Sequence, residues 1–202
     1  MKKIKKYLKK HLTKERYHHT VGVAYTAMSM AMKYNPQPDN NEFMIKAEIA
    51  GLLHDCAKCM DNDKKIRICN KNQISYNKIE AENPYLLHGK VGAYIARKEF
   101  DILDEDILNA ITWHTTGRPD MSLLEKIIFV ADYIEPSRRP IPELNLIRQL
   151  AFTDIDQTVI KDQLRPQGHP CGAEQTEPAG RRNLQPAGPL PCDLQGGLHC
   201  PL

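Results

Sequence analysis

The segment Ala50-Gly51-Leu52-Leu53-His54-Asp55-Cys56-Ala57-Lys58 decides how this chain folds. Its first half continues an apolar stretch, and its second half places a histidine and an aspartate side by side at the end of that stretch. Burying an ionised carboxylate is costly unless a cation or a bound metal compensates its charge. The segment therefore predicts a buried helix that carries a polar, cation-binding group of residues at its end.

Apolar residues elsewhere in the chain recur with the period of an α-helix. Ile4, Leu8 and Leu12 form one stripe on a short basic helix. A second helix is predicted from about Tyr17 to Tyr34. Its apolar stripe consists of Val21, Val23, Ala24, Ala27, Met28, Ala31 and Met32. We expect the methionines to fill the core. No stretch alternates every two residues as a strand does, so the sequence predicts an all-α fold.

Capping residues and prolines mark further helices. Pro84 suits the first turn of a helix, Asp104 is a good N-cap, and Ser122 lies near the start of another helix. The resulting helices are expected over about residues 41–57, 84–100, 104–114, 122–134, 142–151 and 153–164. The polar stretch from Asp61 to Glu82 has room for one short helix.

The overall composition excludes several classes of protein. The chain has 202 residues and a formal net charge of +3, which is too small to indicate binding to a nucleic-acid polymer. No apolar run reaches the roughly 18 to 20 residues that a membrane span needs, and the basic N-terminus lacks the apolar stretch of a secretory signal. We expect a cytoplasmic protein without membrane contact, in which the six cysteines are free thiols.

The composition changes abruptly after Leu164. Residues 165–202 contain seven of the fourteen prolines and six of the eleven glycines, and they contain no lysine, isoleucine, valine, methionine or aromatic residue. We therefore predict one domain over residues 1–164 and an atypical, Pro/Gly-rich tail over residues 165–202 that is disordered. A shift of reading frame or a joined sequence would also produce this change, a hypothesis that resequencing the gene can test.

Two more residues extend the His54–Asp55 pair into a set of metal ligands. His19 or its neighbour His18, early in the second predicted helix, can supply the first ligand, and Asp132 is embedded in the apolar segment 127–136. Taken alone, His54 and Asp55 are more typical of a core histidine beside a capping aspartate. Two imidazoles and two carboxylates on separate helices, however, can close around one ion, and a mixed N/O set suits Fe, Mn, Co, Ni or Zn.

Seven further residues can bind phosphate near such a metal. They are Lys58, His88, His114, Thr115, Thr116, Gly117 and Arg138. His88 and His114 are candidates for a second metal or for phosphate oxygens, although a histidine at a helix end is also typical of a partner for the helix dipole. Lys58 lies one turn beyond His54, and Arg138 offers a guanidinium group that suits phosphate geometry.

Five motifs follow one another along the body of the chain. They are Arg16-Tyr17-His18-His19-Thr20, Gly51–Lys58, Leu86–Ala93, His114–Gly117 and Ala131–Arg138. In this order they resemble the YqeK-type branch of the HD superfamily, and the resemblance covers about residues 12–160. Cys56 departs from the pattern, because this family often has an aromatic residue there. The resemblance implies an HD-domain helical bundle that hydrolyses diadenosine tetraphosphate symmetrically.

The resemblance also implies roles for individual residues. The metal, iron in this family, would be bound by His19, His54, Asp55 and Asp132. The nucleotide would be contacted by His54, Asp55, Cys56, Ala57, Lys58, His88, His114, Thr115, Thr116, Gly117, Asp132 and Arg138. The catalytic residues would be Asp55, Lys58, His88 and His114. The implied site has room for one or two ions, and homodimer formation is left open.

The expected reaction is an in-line attack of a metal-activated water on one phosphorus, with cationic side chains stabilising the phosphates and the ADP leaving group. Two other functions are compatible with the sequence. One is an HD hydrolase that acts on a guanosine alarmone or a deoxynucleotide, and the other is a non-catalytic nucleotide-binding module. The resembling family continues with a final helical segment that contacts nucleotide, where this chain has its atypical tail, so reduced activity is also compatible with the sequence.

Overall fold

The computed structural model describes residues 1–37 and 39–163. The helices of this described part are α1 (Lys2–His11), α2 (Lys14–Tyr34), α3 (Glu42–Leu53), α4 (Asn62–Lys71), α5 (Lys78–Glu82), α6 (His88–Phe100), α7 (Glu105–Trp113), α8 (Leu123–Ile134), α9 (Leu144–Ala151) and α10 (Ile155–Gln163). No β-strand occurs among the described residues, so the predicted all-α fold is confirmed. The tail predicted over residues 165–202 lies outside the described residues.

Helices α2, α3, α7 and α8 pack against one another and form the centre of the bundle. The closest approach of α2 to α3 is made possible by Gly51, because a Cβ atom at this position would lie 2.7 Å from Cα of Ala24. A larger residue would have to push the two helices apart, which costs about 1 to 3 kcal/mol in a packed core. The close contact brings the first half of α2, with His19, near the end of α3, where His54 follows.

The sequence signals for helix starts are confirmed. The carboxylate of Asp104 accepts two backbone N–H groups at the start of α7. Ser122 and Glu125 form a capping box at the start of α8, in which each side chain accepts the backbone N–H of the other residue. The apolar stripe of α1 is also confirmed, since Ile4 and Leu8 are buried.

The helix predicted over residues 41–57 is too long, because α3 ends at Leu53. A series of turns follows, in which Cys56 N–H donates to Leu53 C=O and Lys58 N–H donates to Asp55 C=O. The imidazole of His54 also bonds to a carbonyl three residues back, that of Gly51. Asp55 therefore lies in a tight turn and not within a regular helix.

Other local predictions were wrong in smaller ways. The polar stretch over residues 61–82 forms two helices and not one, and α5 is stabilised by a capping box between Asn77 and Glu80. The segment from Pro84 begins as a 3₁₀ turn, Pro84–Leu87, before α6 starts. Met32 is 61% exposed, whereas its neighbour Met30 fills the core, so the methionine stripe of α2 was partly misassigned.

Two expectations from composition can be compared with the described part of the chain. The cysteines within it, Cys56, Cys59 and Cys69, are free thiols, as predicted. None of the helices described combines the length and the apolar character that crossing a membrane requires.

Candidate metal centre

The buried histidines of the site use their Nδ1 atoms to hold their rings in place. His54 Nδ1 donates to the carbonyl oxygen of Gly51 at 2.7 Å, and His19 Nδ1 lies 3.0 Å from Oε1 of Glu135. Because a carbonyl or carboxylate oxygen only accepts, each ring has a proton on Nδ1, and the Nε2 atom of His54 then has a free lone pair. Burial would lower the pKa of His19, but its contacts with Asp132 and Glu135 raise it, so His19 would have to lose its Nε2 proton when a metal binds. An outer oxygen partner of this kind is typical of metal-binding histidines.

Two histidine nitrogens and two carboxylates converge in one place, here called the ligand cluster: His19, His54, Asp55 and Asp132. The Nε2 atom of His19 lies 3.0 Å from Asp132 Oδ1 and 3.9 Å from Asp55 Oδ2. The Nε2 atom of His54 lies 3.5 Å from Asp55 Oδ2 and 3.8 Å from Asp132 Oδ1. Ligands that bind one ion at about 2.0 to 2.2 Å lie roughly 3 to 4 Å apart, so this spacing fits a transition metal.

Hydrogen bonding leads to the same interpretation. Among the described residues, His19 Nε2 and His54 Nε2 are buried atoms without a hydrogen-bond partner; Asp55 Oδ1, on the opposite side of that carboxylate near His88, also has none. Leaving such an atom unpaired costs about 1 to 3 kcal/mol, a cost that a bound cation removes. Burial lowers the pKa of His54, which keeps its imidazole neutral as a ligand must be. The donor set therefore fits a divalent metal.

Both carboxylates of the ligand cluster are held in their ionised form. Burial alone would raise the pKa of Asp55, but His54 and Lys58 outweigh burial and hold it well below its usual range. Burial would likewise raise the pKa of Asp132, but His19 and the charge of Arg138 keep it well below its usual range. Two ionised carboxylates in a buried place favour a cation between them.

The second oxygen of Asp55 faces another group of side chains, here called the lysine cluster: Lys58, His88, His114 and Thr115. Asp55 Oδ1 lies 3.2 Å from His88 Nε2, 3.5 Å from His114 Nε2 and 3.7 Å from Lys58 Nζ. Both imidazoles are again oriented through Nδ1, which donates to a backbone carbonyl at 2.7 Å in each ring. One carboxylate is therefore shared by the two clusters.

The lysine cluster contains its own hydrogen-bond donors. Burial lowers the pKa of His88 to about 4, so this ring is neutral near pH 7. Its Nε2 atom lies 3.1 Å from Nε2 of His114 and 3.2 Å from the ammonium of Lys58. The hydroxyl of Thr115 lies 3.0 Å from His114 Nε2 and 3.2 Å from His88 Nε2. The Nε2 lone pairs of His88 and His114 would otherwise face each other. Lys58 and Thr115 can therefore donate hydrogen bonds to them.

The remaining residues predicted at the site take varied positions. Cys56 and Ala57 are buried, and the Cys56 thiol points to the carbonyl of Gly92 at 3.7 Å. The hydroxyl of Thr116 donates to the carbonyl of Gly117, which has a left-handed backbone conformation. Their predicted contacts with nucleotide stay predictions.

The guanidinium of Arg138 contacts the ligand cluster directly. Its Nε and Nη2 atoms donate to the carbonyl oxygen of Asp132 at 2.9 and 2.8 Å, and Nη2 also donates to the Oδ1 atom of Asp132 at 2.8 Å. These bonds fix the orientation of the Asp132 carboxylate. The phosphate contact predicted for Arg138 would have to come in addition to them.

Two residues that support the site were missed in the sequence. Arg16 donates from Nη1 to Asp55 Oδ2 at 3.0 Å, and Glu135 accepts from the ring of His19 and from the hydroxyl of Ser137. Burial would raise the pKa of Glu135, but its bonds to His19 and Ser137 lower it. Helical spacing could have found both residues, because each lies three positions from a ligand on the same side of its segment.

Three comparisons with known proteins identify the relatives of this chain. The family model of the HD domain matches residues 16–137. The symmetrical bis(5'-nucleosyl)-tetraphosphatase of Bacillus subtilis is 43% identical over 76% of this chain and 78% of that protein. Its counterpart in Halalkalibacterium halodurans is 45% identical over the same shares of the two chains. A crystal structure from Clostridium acetobutylicum, described as a predicted HD superfamily hydrolase involved in NAD metabolism, is 44% identical, with a TM-score of 0.73 over 80% of this chain and 82% of that one.

The helical bundle, its His/Asp cluster and the matched domain define the class of HD-type metal-dependent phosphohydrolases. The chain belongs to the HD-domain family, and within it to the branch whose curated members are named symmetrical bis(5'-nucleosyl)-tetraphosphatase. The expected HD-domain bundle is thereby confirmed.

Proposed function

We propose that this protein hydrolyses dinucleoside tetraphosphates symmetrically and converts diadenosine tetraphosphate into two ADP. The observation that carries the proposal is the shared carboxylate of Asp55, whose Oδ2 atom faces the ligand cluster while Oδ1 faces the lysine cluster. A metal-binding place and a group of phosphate-binding side chains therefore adjoin, as a polyphosphate substrate requires. The names of the relatives support the same activity.

A divalent metal held by His19, His54, Asp55 and Asp132 would supply Lewis acidity and lower the pKa of a bound water. Asp55 is placed to accept a hydrogen bond from the attacking water. The water oxygen forms a bond to one of the two central phosphorus atoms, the bond from that phosphorus to the central bridging oxygen breaks, and ADP leaves. The ADP that contains the attacked phosphorus gains the hydroxyl of the water, and the ADP that leaves gains the proton.

The lysine cluster would stabilise the charge on the transferred and departing phosphates. The ammonium of Lys58 and the imidazoles of His88 and His114 lie within 3.7 Å of Asp55 Oδ1, so they surround the place where a central phosphate would bind. The Lys58 ammonium is a preorganised donor that would stabilise charge developing in a transition state, whereas His88 and His114, whose Nδ1 atoms bond to backbone carbonyls, would donate to phosphate only when Nε2 is also protonated. Arg138 would first orient Asp132 and then add positive charge at the rim of the site.

We further propose that the resident metal is iron, with manganese, cobalt, nickel and zinc as alternatives that suit the same donors. A second ion has a candidate place among Asp55, His88 and His114, which also lie close enough together to hold a metal. Metal analysis of the purified protein identifies the element. One ion per chain would mean that the lysine cluster binds phosphate alone. Two ions per chain would mean that it also binds a second metal.

The test of the activity is a chromatographic assay of metal-loaded protein with diadenosine tetraphosphate. ADP as the sole product supports the proposal, whereas ATP plus AMP, or no turnover, would overturn it. A guanosine alarmone and deoxynucleoside triphosphates in parallel assays separate the alternative HD hydrolases. Tight binding without turnover of any substrate would favour a nucleotide-binding module.

We also propose that residues 1–164 contain the whole catalytic domain and that the protein acts in the cytoplasm, where homodimers would form. A variant truncated after Leu164 should then retain the activity of the full chain. Cell fractionation tests the compartment, and light scattering during size-exclusion chromatography tests the dimer.

A further inference from the structure

A cavity of about 380 Å³ lies beside the ligand cluster, between α1 and α2. It is lined by Lys5, Tyr17, His18, Val21, Gly22 and Tyr25. We propose that this cavity binds one of the two nucleosides of the substrate. The inference rests on the proposed function and adds a base-binding site that the metal centre and the lysine cluster do not provide.

The wall of the cavity contacts Glu135, the residue that orients His19. Gly22 forms part of its wall, and a Cβ atom at this position would lie 2.7 Å from Oε2 of Glu135. Glu135 in turn orients His19, which is the neighbour of His18 in the chain. Gly22 follows His19 by three residues, about 5 Å along the helix. A ligand in the cavity would therefore lie at the edge of the ligand cluster.

The bases of the substrate must bind at some distance from the reacting phosphorus. Hydrolysis between the second and third phosphates leaves one phosphate and one ribose between the reacting phosphorus and its own base, and two phosphates and one ribose between it and the other base. A base therefore cannot bind within the ligand cluster itself and has to bind at its rim. The cavity between α1 and α2 is close to the ligand cluster, because Glu135 lies against Gly22 of its wall and bonds to His19.

The side chains of the cavity suit a nucleobase. Tyr25 is 58% exposed, so its ring is accessible to a ligand in the cavity. The rings of Tyr17 and His18 lie 6.2 Å apart and are tilted by 56°, so they present faces in different directions. Lys5 lines the cavity, and the ammonium of Lys9 lies 5.5 Å from the ring centre of Tyr17. Aromatic faces stack on bases, and nearby lysines attract the adjoining phosphates.

A second cavity, of about 520 Å³, lies between α1, α4 and α6 and provides the contrast. Its wall includes Tyr7 and Tyr94, so it is also aromatic, but α2 and α8, which carry His19 and Asp132, contribute no residue to it. Tyr94→Ala is therefore a matched control for an aromatic side chain removed from a cavity.

The first measurement compares Tyr25→Ala, His18→Ala and Tyr94→Ala in the metal-loaded full chain. Loss of a stacking ring should raise the KM for diadenosine tetraphosphate about tenfold in Tyr25→Ala and His18→Ala. Metal content and melting temperature should stay at the wild-type values, and Tyr94→Ala should leave the KM unchanged. An unchanged KM in both cavity variants, or an equal rise in the control, would overturn the site.

The second measurement does not depend on turnover. Calorimetric titration of the metal-loaded wild type with ADP should give two ADP per chain, and the double variant His18→Ala/Tyr25→Ala should give one. Two ADP per chain in the double variant would contradict the inference. A wild type that does not hydrolyse diadenosine tetraphosphate would refute the proposed function instead, and the ADP titration would still decide whether the cavity binds a nucleoside.

Discussion

At Asp55 two clusters of buried side chains meet, and they differ in what lies opposite their histidine nitrogens. In the ligand cluster, Nε2 of His19 and Nε2 of His54 lack a hydrogen-bond partner among the described residues. In the lysine cluster, Nε2 of His88 lies 3.2 Å from the ammonium of Lys58, and a threonine hydroxyl lies between the two rings.

The difference lies in the donors that reach the histidine nitrogens. Arg16 and Arg138 pair with the two carboxylates of the ligand cluster but do not bond to its histidines, so Nε2 of His19 and Nε2 of His54 remain available to an added metal ion. The lysine cluster has a cation of its own, which can turn from the histidine to an incoming phosphate. The comparison suggests that one side of Asp55 holds the metal and the other side holds the substrate. Four substitutions test this division, beginning with the shared residue.

Replacing Asp55 with asparagine should affect both clusters and have the largest effect. The change removes the charge that both Oδ atoms share, so metal content and turnover should fall together. Loss of an outer partner of a metal ligand already costs about 10- to 100-fold in affinity, and loss of a ligand should exceed that range. Atomic absorption and the ADP assay measure the two effects. Asp156→Asn, which changes an exposed aspartate, is the control, and normal metal content with normal turnover in Asp55→Asn would refute the assignment.

Replacing Lys58 with methionine should affect the lysine cluster and leave metal binding in the ligand cluster unchanged. The long apolar side chain retains the packing but removes the ammonium, so kcat should fall about 100-fold while metal content is unchanged. Lys78→Met, at an exposed lysine paired with Glu82, is the matched control. A loss of metal in Lys58→Met as large as the loss of turnover would show that the division between the clusters is wrong.

The pH dependence of stability tests the neutral histidine of the lysine cluster. Because burial lowers the folded-state pKa of His88 from 6.5 to about 4, the unfolded chain takes up a proton first as the pH falls. The free energy of unfolding should therefore decrease between pH 6.5 and 4, and His88 should account for about 2 to 3 kcal/mol of this decrease. Urea denaturation of metal-free wild type and His88→Asn at pH 7 and 4.5 measures the difference. Equal losses in the two proteins would contradict the prediction.

Replacing Glu135 with glutamine should have the smallest of the four effects. Glutamine can still accept from His19 Nδ1 but lacks the charge, so metal affinity should fall about tenfold. Titration of the metal-free protein with the metal measures the affinity, and Glu82→Gln provides an exposed control. If the metal affinity of Glu135→Gln equals that of the wild type, the charge of Glu135, 3.0 Å from His19 Nδ1, does not affect metal binding by His19.

Local structure was predictable wherever one helix had a strong signal of its own. The stripe of Ile4 and Leu8 predicted α1, and Asp104 and Ser122 marked the starts of α7 and α8. The prediction failed at the end of α3, because the imidazole of His54 competes with the regular backbone bonding pattern. It also failed over residues 61–82, where a capping box begins α5, while α4 has no side-chain cap and packs Ile66, Ile68 and Cys69 against the core.

The sequence by itself determined the helices, the buried His54–Asp55 pair and, through the order of the motifs, the family. Only the tertiary structure decided that Asp55 faces two clusters, that Arg16 reaches it from 39 positions away, and that Glu135 holds His19 across 116 positions. The physical reason is that hydrophobic periodicity reports which side of a helix is buried. Which polar atoms then meet depends on how helices far apart in the chain pack together.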